Sequence, residues 1–238
     1  MDSGENMYKR IKIIRYFGDK KQEYSDILKN GYVTIYKSDE CPHTLHISTN
    51  KIYFMEQTHS NNVVIIDDVL DNSYVNNHIP DCDAIITSQP EIFLCTRTAD
   101  CFPILVYDEV KNIVSAVHSG RDSTKLKIIK HVINAFKERF DSKNEDIKIL
   151  IGAGISPENY LVSEDMAKDY YNDYSDLSDY SCNLNLQKHI IDTALENGVP
   201  AENITASNIC TYDDNDYFSF RKDNTTKRQI SIIGMIYV

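Results

Sequence analysis

Short runs rich in Ile, Val, Tyr and Phe recur along the chain, at 10–16, 32–36, 51–56, 62–66, 83–87, 92–96, 103–107, 113–117, 146–151, 204–209 and 229–237. Each is bounded by Asn, Asp, Gly or Pro, as strands ended by turns are. Two segments instead repeat their apolar residues at three- and four-residue steps, the period of a helix with one buried face. Over 124–140 these are Leu126, Ile129, Ile133, Phe136 and Phe140, with a cap at Asp122 or Ser123. Over 186–197 they are Leu186, Ile190, Ile191, Ala194 and Leu195, and Gly198 follows where a C′ glycine belongs. Between them, 158–181 holds seven acids, five tyrosines and one lysine, a pattern that reads as a solvated helix and loop. Many strands with few helices predict an α/β (α+β) fold, a single domain of mixed β-sheets packed in a layered sandwich with helices.

Composition narrows the function. With 36 acidic and 25 basic side chains the net charge is −11. A protein that tracks a nucleic-acid backbone needs the opposite balance, and so does one that docks on anionic membranes, so neither partner is expected. No stretch of 18 apolar residues exists, so no transmembrane helix is expected. The first residues, Met1-Asp2-Ser3-Gly4-Glu5-Asn6, are polar and acidic where a secretion signal is basic and then apolar. A cytoplasmic monomer or homodimer is the expectation. The six cysteines form no C-x-x-C pair and no dense framework, which predicts reduced thiols.

Three strand ends carry chemistry. The run at 51–56 leads into Gln57-Thr58-His59-Ser60, that at 92–96 into Arg97-Thr98-Ala99-Asp100-Cys101-Phe102-Pro103, and that at 113–117 into His118-Ser119-Gly120. Two imidazoles and a thiol suit zinc, and three protein ligands leave the fourth tetrahedral position open, as in catalytic sites. Separations of 42 and 17 residues are unlike a compact zinc finger. Singly, each residue also reads as an ordinary packed or hydrogen-bonded side chain. Gly152-x-Gly154 after a strand reads as a tight turn more readily than as a phosphate cradle.

These segments resemble the signatures of the laccase-domain proteins, once called multicopper polyphenol oxidases and now regarded as purine nucleoside phosphorylases. Arg97-Thr98-Ala99-Asp100-Cys101-Phe102-Pro103 is the most specific likeness, to Arg-Thr-Ala-Asp-Cys-x-Pro. Gln57-Thr58-His59-Ser60, Asp83-Ala84-Ile85-Ile86-Thr87 and Ala116-Val117-His118-Ser119-Gly120 resemble further family segments. So do Gly152 to Pro157 with Tyr160-Leu161-Val162, and the close Cys210-Thr211, Phe218-Ser219-Phe220-Arg221-Lys222-Asp223 and Arg228-Gln229. The likeness covers 51–238 as the family core, with 1–50 a divergent segment of the same domain that lacks the usual opening. Arg121-Asp122-Ser123 stands where the family has Trp-Arg-Gly, and Glu158-Asn159 where it has a cysteine pair.

The resemblance implies His59, Cys101 and His118 as ligands of zinc, with copper an alternative. It implies cleavage of purine nucleosides by phosphate to free base and ribose 1-phosphate, with adenosine deamination and methylthioadenosine phosphorolysis as companion activities. An open three-ligand zinc lowers the pKa of a bound water toward ~7, as deamination requires. Asp100 is the candidate to orient an imidazole or move a proton, beside Cys101 and Arg97 in the catalytic group. Arg97, Arg221 and Lys222 are candidates for phosphate and developing charge, and Arg121 for the displaced family arginine. Competing readings are a copper-dependent polyphenol oxidase, a hydrolase with Cys101 as nucleophile and His118 or His59 as base, and a non-enzymatic metal-binding module. Seven histidines with no His-x-His pair are too few for a blue-copper plus trinuclear assembly.

Overall fold

The computed structural model describes residues 10–36, 43–68, 77–167, 175–178 and 181–238. Two mixed sheets lie at its centre. The first runs in the order β1 (Ile11–Phe17), β16 (Gln229–Tyr237), β8 (Phe93–Thr98), β4 (Ile52–Met55), β6 (His78–Ile79). The second runs β15 (Ile204–Ala206), β11 (Ile147–Ile151), β9 (Phe102–Asp108), β10 (Ile113–Ser119), β7 (Ala84–Thr87), β5 (Val63–Ile65). Both mix directions: β4 pairs in parallel with β8 and β6, while β9 and β10 are antiparallel. β1 pairs along its whole length with β16, from Ile11 opposite Tyr237 to Phe17 opposite Ser231.

Side-chain alternation sorts the core into three layers. Ile230 and Ile232 of β16 face one side of the first sheet, and Ile233 and Met235 face the other. The second set joins Leu94, Leu105, Val114 and Ala116 to fill the space between the sheets. The outer side of the first sheet is covered by α1 (Tyr24–Asn30), through Ile27, and by the ribbon β2 (Tyr32–Ile35) with β3 (Leu45–Ser48), through Val33, Ile35 and Ile47. The outer side of the second is covered by α3 (Ile128–Phe140), through Ile129, Val132, Ile133 and Phe136, and by α5 (Leu186–Glu196), through Leu186, Ile190 and Ala194. Every residue of β9 and β10 is buried, because both faces of their sheet are packed. The layered sandwich expected from the run pattern is the architecture observed.

Four local expectations need correction. The helix placed at 124–140 is two helices, α2 (Arg121–Lys125) and α3, parted by Lys127 in the left-handed region at φ 55°. The turn rotates Leu126 off the apolar face, leaving it 45% exposed, and α2 begins directly after Gly120 with no side-chain cap. The acidic tract is not only helix and loop. Around α4 (Glu164–Ala167) it contributes β12 (Leu161–Val162), β13 (Ser175–Ser178) and β14 (Ser181–Leu184) to a small sheet, in which Cys182 and Leu184 are buried; residues 168–174 and 179–180 lie outside the described set. The run at 204–209 pairs only as far as Ala206. Finally, β8 extends through Thr98 and β10 through Ser119, so Arg97 and His118 lie within strands rather than beyond them.

Candidate metal centre and active-site cavity

The chain crosses from the first sheet to the second through Ala99-Asp100-Cys101, between β8 and β9. That crossing opens one end of the sandwich, and the three strand ends meet there. His59 follows β4 and sits at φ 61°; Cys101 ends the crossing; His118 stands in β10 opposite Pro103. One ligand atom from each of the three lies within 4.8 Å of the others. The two imidazoles meet edge to face, with centroids 4.9 Å apart and an 84° interplanar angle.

Sequence details enforce that approach. A Cβ at Gly120 would stand 2.9 Å from Cys101 Sγ and 2.9 Å from His59 Cδ2, so only glycine lets the two side chains converge. Gln57 acts as an extra rung of the sheet after β4 ends: its Oε1 accepts the Arg97 N–H at 2.9 Å and its Nε2 donates to the Arg97 carbonyl at 2.8 Å. Asp83, fully buried, holds the rest. Its Oδ1 lies 2.7 Å from His118 Nδ1, and its Oδ2 accepts from Ser60 N, Ser60 Oγ and Thr58 N at 2.7, 2.9 and 3.1 Å. One carboxylate therefore fixes both the imidazole of His118 and the loop that presents His59.

The electrostatics suit a metal. Burial pushes the pKa of His118 down, against the hydrogen bond and charge of Asp83. The Asp83 carboxylate takes the hydrogen bond from Nδ1, which leaves the lone pair of Nε2 to face a metal. Burial alone would raise Asp83, but the hydrogen bonds from His118 and Ser60 hold it below the ordinary carboxylate value. The Cys101 thiol is pushed up to about 12, by burial first and then by the Asp100 carboxylate, with Arg228 opposing. A metal ion reverses that balance, since a ligating thiol gives up its proton on binding. Two imidazoles and one thiolate fit zinc or copper.

The cluster forms part of the wall of a cavity of about 710 Å³. Arg97, Arg221 and Arg228 also line it, together with the rings of Tyr24, Tyr160 and Phe220. Arg97 stacks at 4.4 Å on Tyr24 and donates to the Met55 carbonyl at 2.7 Å. Arg221 lies 5.1 Å over Tyr160 and donates to the Leu161 carbonyl at 2.8 Å. Of the expected anion-binding residues, then, Arg97 and Arg221 reach the cavity. Lys222 does not line it: Nζ donates to Asn215 at 2.9 Å. Nor does Arg121, whose Nε is paired with Asp122 at 2.8 Å. Asp100 lines the cavity, but its oxygens accept from Thr211 Oγ1 and Arg221 N; the carboxylate that orients an imidazole is Asp83.

Sequence reasoning gave Asp83, Arg228, Tyr24 and Phe220 no role of their own. Asp83 carried one usable signal, an acid opening an otherwise apolar run. Gly152 and Gly154 are packing glycines, where a Cβ would meet the rings of Phe17 and Phe102 within 2.5 Å.

Comparison with known proteins gives this arrangement relatives. Residues 37–236 match the family model described as multi-copper polyphenol oxidoreductase laccase. A purine nucleoside phosphorylase of Corynebacterium glutamicum is 31% identical over 193 residues, 79% of this chain and 76% of that protein. One of Campylobacter jejuni is 31% identical over 185 residues, 77% of this chain and 76% of its own. Among solved structures, YlmD from Geobacillus stearothermophilus superposes with a TM-score of 0.75 at 24% identity, covering 80% of this chain and 75% of that one.

Proposed function

The chain belongs to the multi-copper polyphenol oxidoreductase laccase family, and on that premise we propose that it is a zinc-dependent purine nucleoside phosphorylase. Phosphate attacks C1′ of a purine nucleoside, the C1′–N bond to the base breaks, and free base and ribose 1-phosphate leave. Adenosine deamination and methylthioadenosine phosphorolysis are companion reactions of the same cavity. The observation that carries this reading is a concentration of cations. In a chain of net charge −11, three arginines line the cavity that also holds the His59, Cys101, His118 cluster. Guanidinium groups bind phosphate through paired charge-assisted hydrogen bonds and offset charge that builds up at the glycosidic bond. Arg97 and Arg221 have this role, joined by Arg228.

His59, Cys101 and His118 would hold zinc, with copper as an alternative occupant, and the ion would supply a Lewis acid at the cavity wall. Asp83 keeps His118 in the tautomer that leaves Nε2 free. Tyr24, Tyr160 and Phe220 offer rings against which a purine packs. Use of Cys101 as a hydrolytic nucleophile fits less well, because burial raises its thiol pKa and an activated cysteine needs the opposite shift. Incubation of metal-analysed protein with inosine, with and without phosphate, tests the proposal. Hypoxanthine release that requires phosphate and disappears in both Cys101→Ala and His118→Ala supports it. Release without phosphate, or wild-type turnover in either variant, overturns it.

A further inference from the structure

Asp100 is held more firmly than a turn residue requires. It is a non-glycine residue at φ 87° and only 8% exposed. Its backbone carbonyl accepts the Ile155 N–H at 2.9 Å. Its Oδ1 accepts the hydroxyl of fully buried Thr211 at 2.8 Å, and its Oδ2 accepts the Arg221 N–H at 2.6 Å. Thr211 is anchored in turn, its N–H donating to the Gly154 carbonyl at 3.0 Å. The carboxylate thus joins the turn that ends in Cys101 to α6 (Phe220–Asp223), the segment that carries Arg221 over Tyr160.

We propose that Asp100 is a positioning residue for the anion site: its carboxylate suspends Arg221 from the Cys101 turn and fixes the distance between the arginine and the metal cluster. The inference rests on the phosphorylase reading for the identity of the anion, but the tether itself is geometric. With both oxygens committed as acceptors, the carboxylate acts through Arg221 rather than on substrate. The left-handed backbone follows from the same duty, since ends fixed at Ile155, Thr211 and Arg221 leave the residue little choice of conformation.

Glycine adopts this backbone without steric cost, so Asp100→Gly removes the carboxylate and leaves the turn. Asp100→Asn is the conservative rescue, because its amide oxygen accepts from Arg221 while the Thr211 hydroxyl reverses to accept from the amide nitrogen. Phosphate dependence of inosine cleavage is measured for wild type, both variants, Arg221→Ala and the double variant Asp100→Gly/Arg221→Ala, alongside metal content and amide exchange over 219–223. We expect Asp100→Gly to raise the phosphate KM about tenfold with metal content unchanged, and Asp100→Asn to recover most of it. The double variant should be no worse than Arg221→Ala alone, as two residues acting through one contact are not additive. A wild-type phosphate KM in Asp100→Gly, additive losses, or a fall in kcat alone without rescue by Asn overturns the proposal. If wild type releases no base in response to phosphate, the function proposed above fails. The tether is then decided by exchange: faster exchange at Arg221 in Asp100→Gly supports it, and unchanged exchange refutes it.

Discussion

Asp83 concentrates several demands in one buried carboxylate, and its removal gives the sharpest prediction. Asp83→Ala deletes the contact to His118 Nδ1 and the three shortest bonds from the 58–60 loop, leaving two backbone N–H groups and an imidazole without their acceptor. Hydrogen bonds to a charged group contribute about 1.5–3 kcal/mol each, so losing those from His118 and the Ser60 N–H costs about 3–6 kcal/mol. At this chain length each kcal/mol lowers Tm by about 2–4 °C, so a fall of roughly 6–24 °C is expected. Asp83→Asn separates stability from metal binding. Its amide oxygen continues to accept from the loop, but its NH2 faces His118 Nδ1 and makes that nitrogen an acceptor. The ring proton then moves to Nε2, the atom needed for the metal. Melting should drop by only a few degrees, while zinc affinity falls about 10- to 100-fold, as for loss of a partner behind a ligating histidine. Competition with a colorimetric zinc chelator measures the second quantity and circular dichroism the first. An Asp83→Asn variant that binds zinc as tightly as wild type, or a wild type that takes up no zinc, would refute the reasoning.

Gly120→Ala places a methyl group 2.9 Å from both Cys101 Sγ and His59 Cδ2, so zinc affinity should fall about tenfold or more with little change in far-ultraviolet circular dichroism. Arg228→Ala should raise the phosphate KM about tenfold, while Lys222→Ala, held outside the cavity by Asn215, should stay within about twofold of wild type. The thiols of Cys82 and Cys95 are pushed up by burial from an ordinary value near 9 to about 12. The native state therefore keeps these protons after the unfolded chain has lost them. Stability present below pH 9 should decline between about pH 9 and 12, by about 1.4 kcal/mol per pH unit for each thiol, in melts of metal-free protein.

The sheets were legible because their strands are covered on both faces, which writes them as short apolar runs with polar punctuation. The same logic explains the misses. In α1 only Ile27 of seven residues is buried, and in β3 only Ile47 of four, so neither carries a periodic signal. Leu126 fits the helical period of the helix after it, but a single left-handed Lys127, with no glycine to announce it, breaks the register. At the site, His59, Cys101 and His118 could be read together because two imidazoles and a thiol follow strand runs inside segments that resemble the family's; singly, each reads as an ordinary side chain. Asp83 stood at the start of its run like any turn-forming aspartate, and only the fold shows that its carboxylate points at His118. Arg97 and Lys222 were indistinguishable as cations in matched motifs. What separates them is that Arg97 lies in a strand beside the cavity and Lys222 in a short terminal helix, directed at Asn215.

The contrast between an acidic chain and an arginine-lined cavity bears on which anions are admitted. At physiological ionic strength a charge is screened beyond about 8 Å, so a small anion inside the cavity responds to Arg97, Arg221 and Arg228 more than to acids on the distant surface. A polyanion long enough to lie across the protein responds to the whole surface, whose net charge of −11 repels it. On the phosphorylase reading, the same charge distribution would favour free phosphate over a polyanion. Within the cavity, the arginines come from two separate parts of the chain, Arg97 from β8 and Arg221 and Arg228 from the C-terminal segment before β16. Tyr24, from α1 and ahead of the family match at 37–236, closes the wall beneath Arg97. A segment ahead of the family match thus lines the cavity beside one of its three arginines. On the phosphorylase reading, Tyr24→Ala should shift the ratio of inosine to adenosine turnover measured side by side, and an unchanged ratio would refute a role for that ring in nucleoside preference.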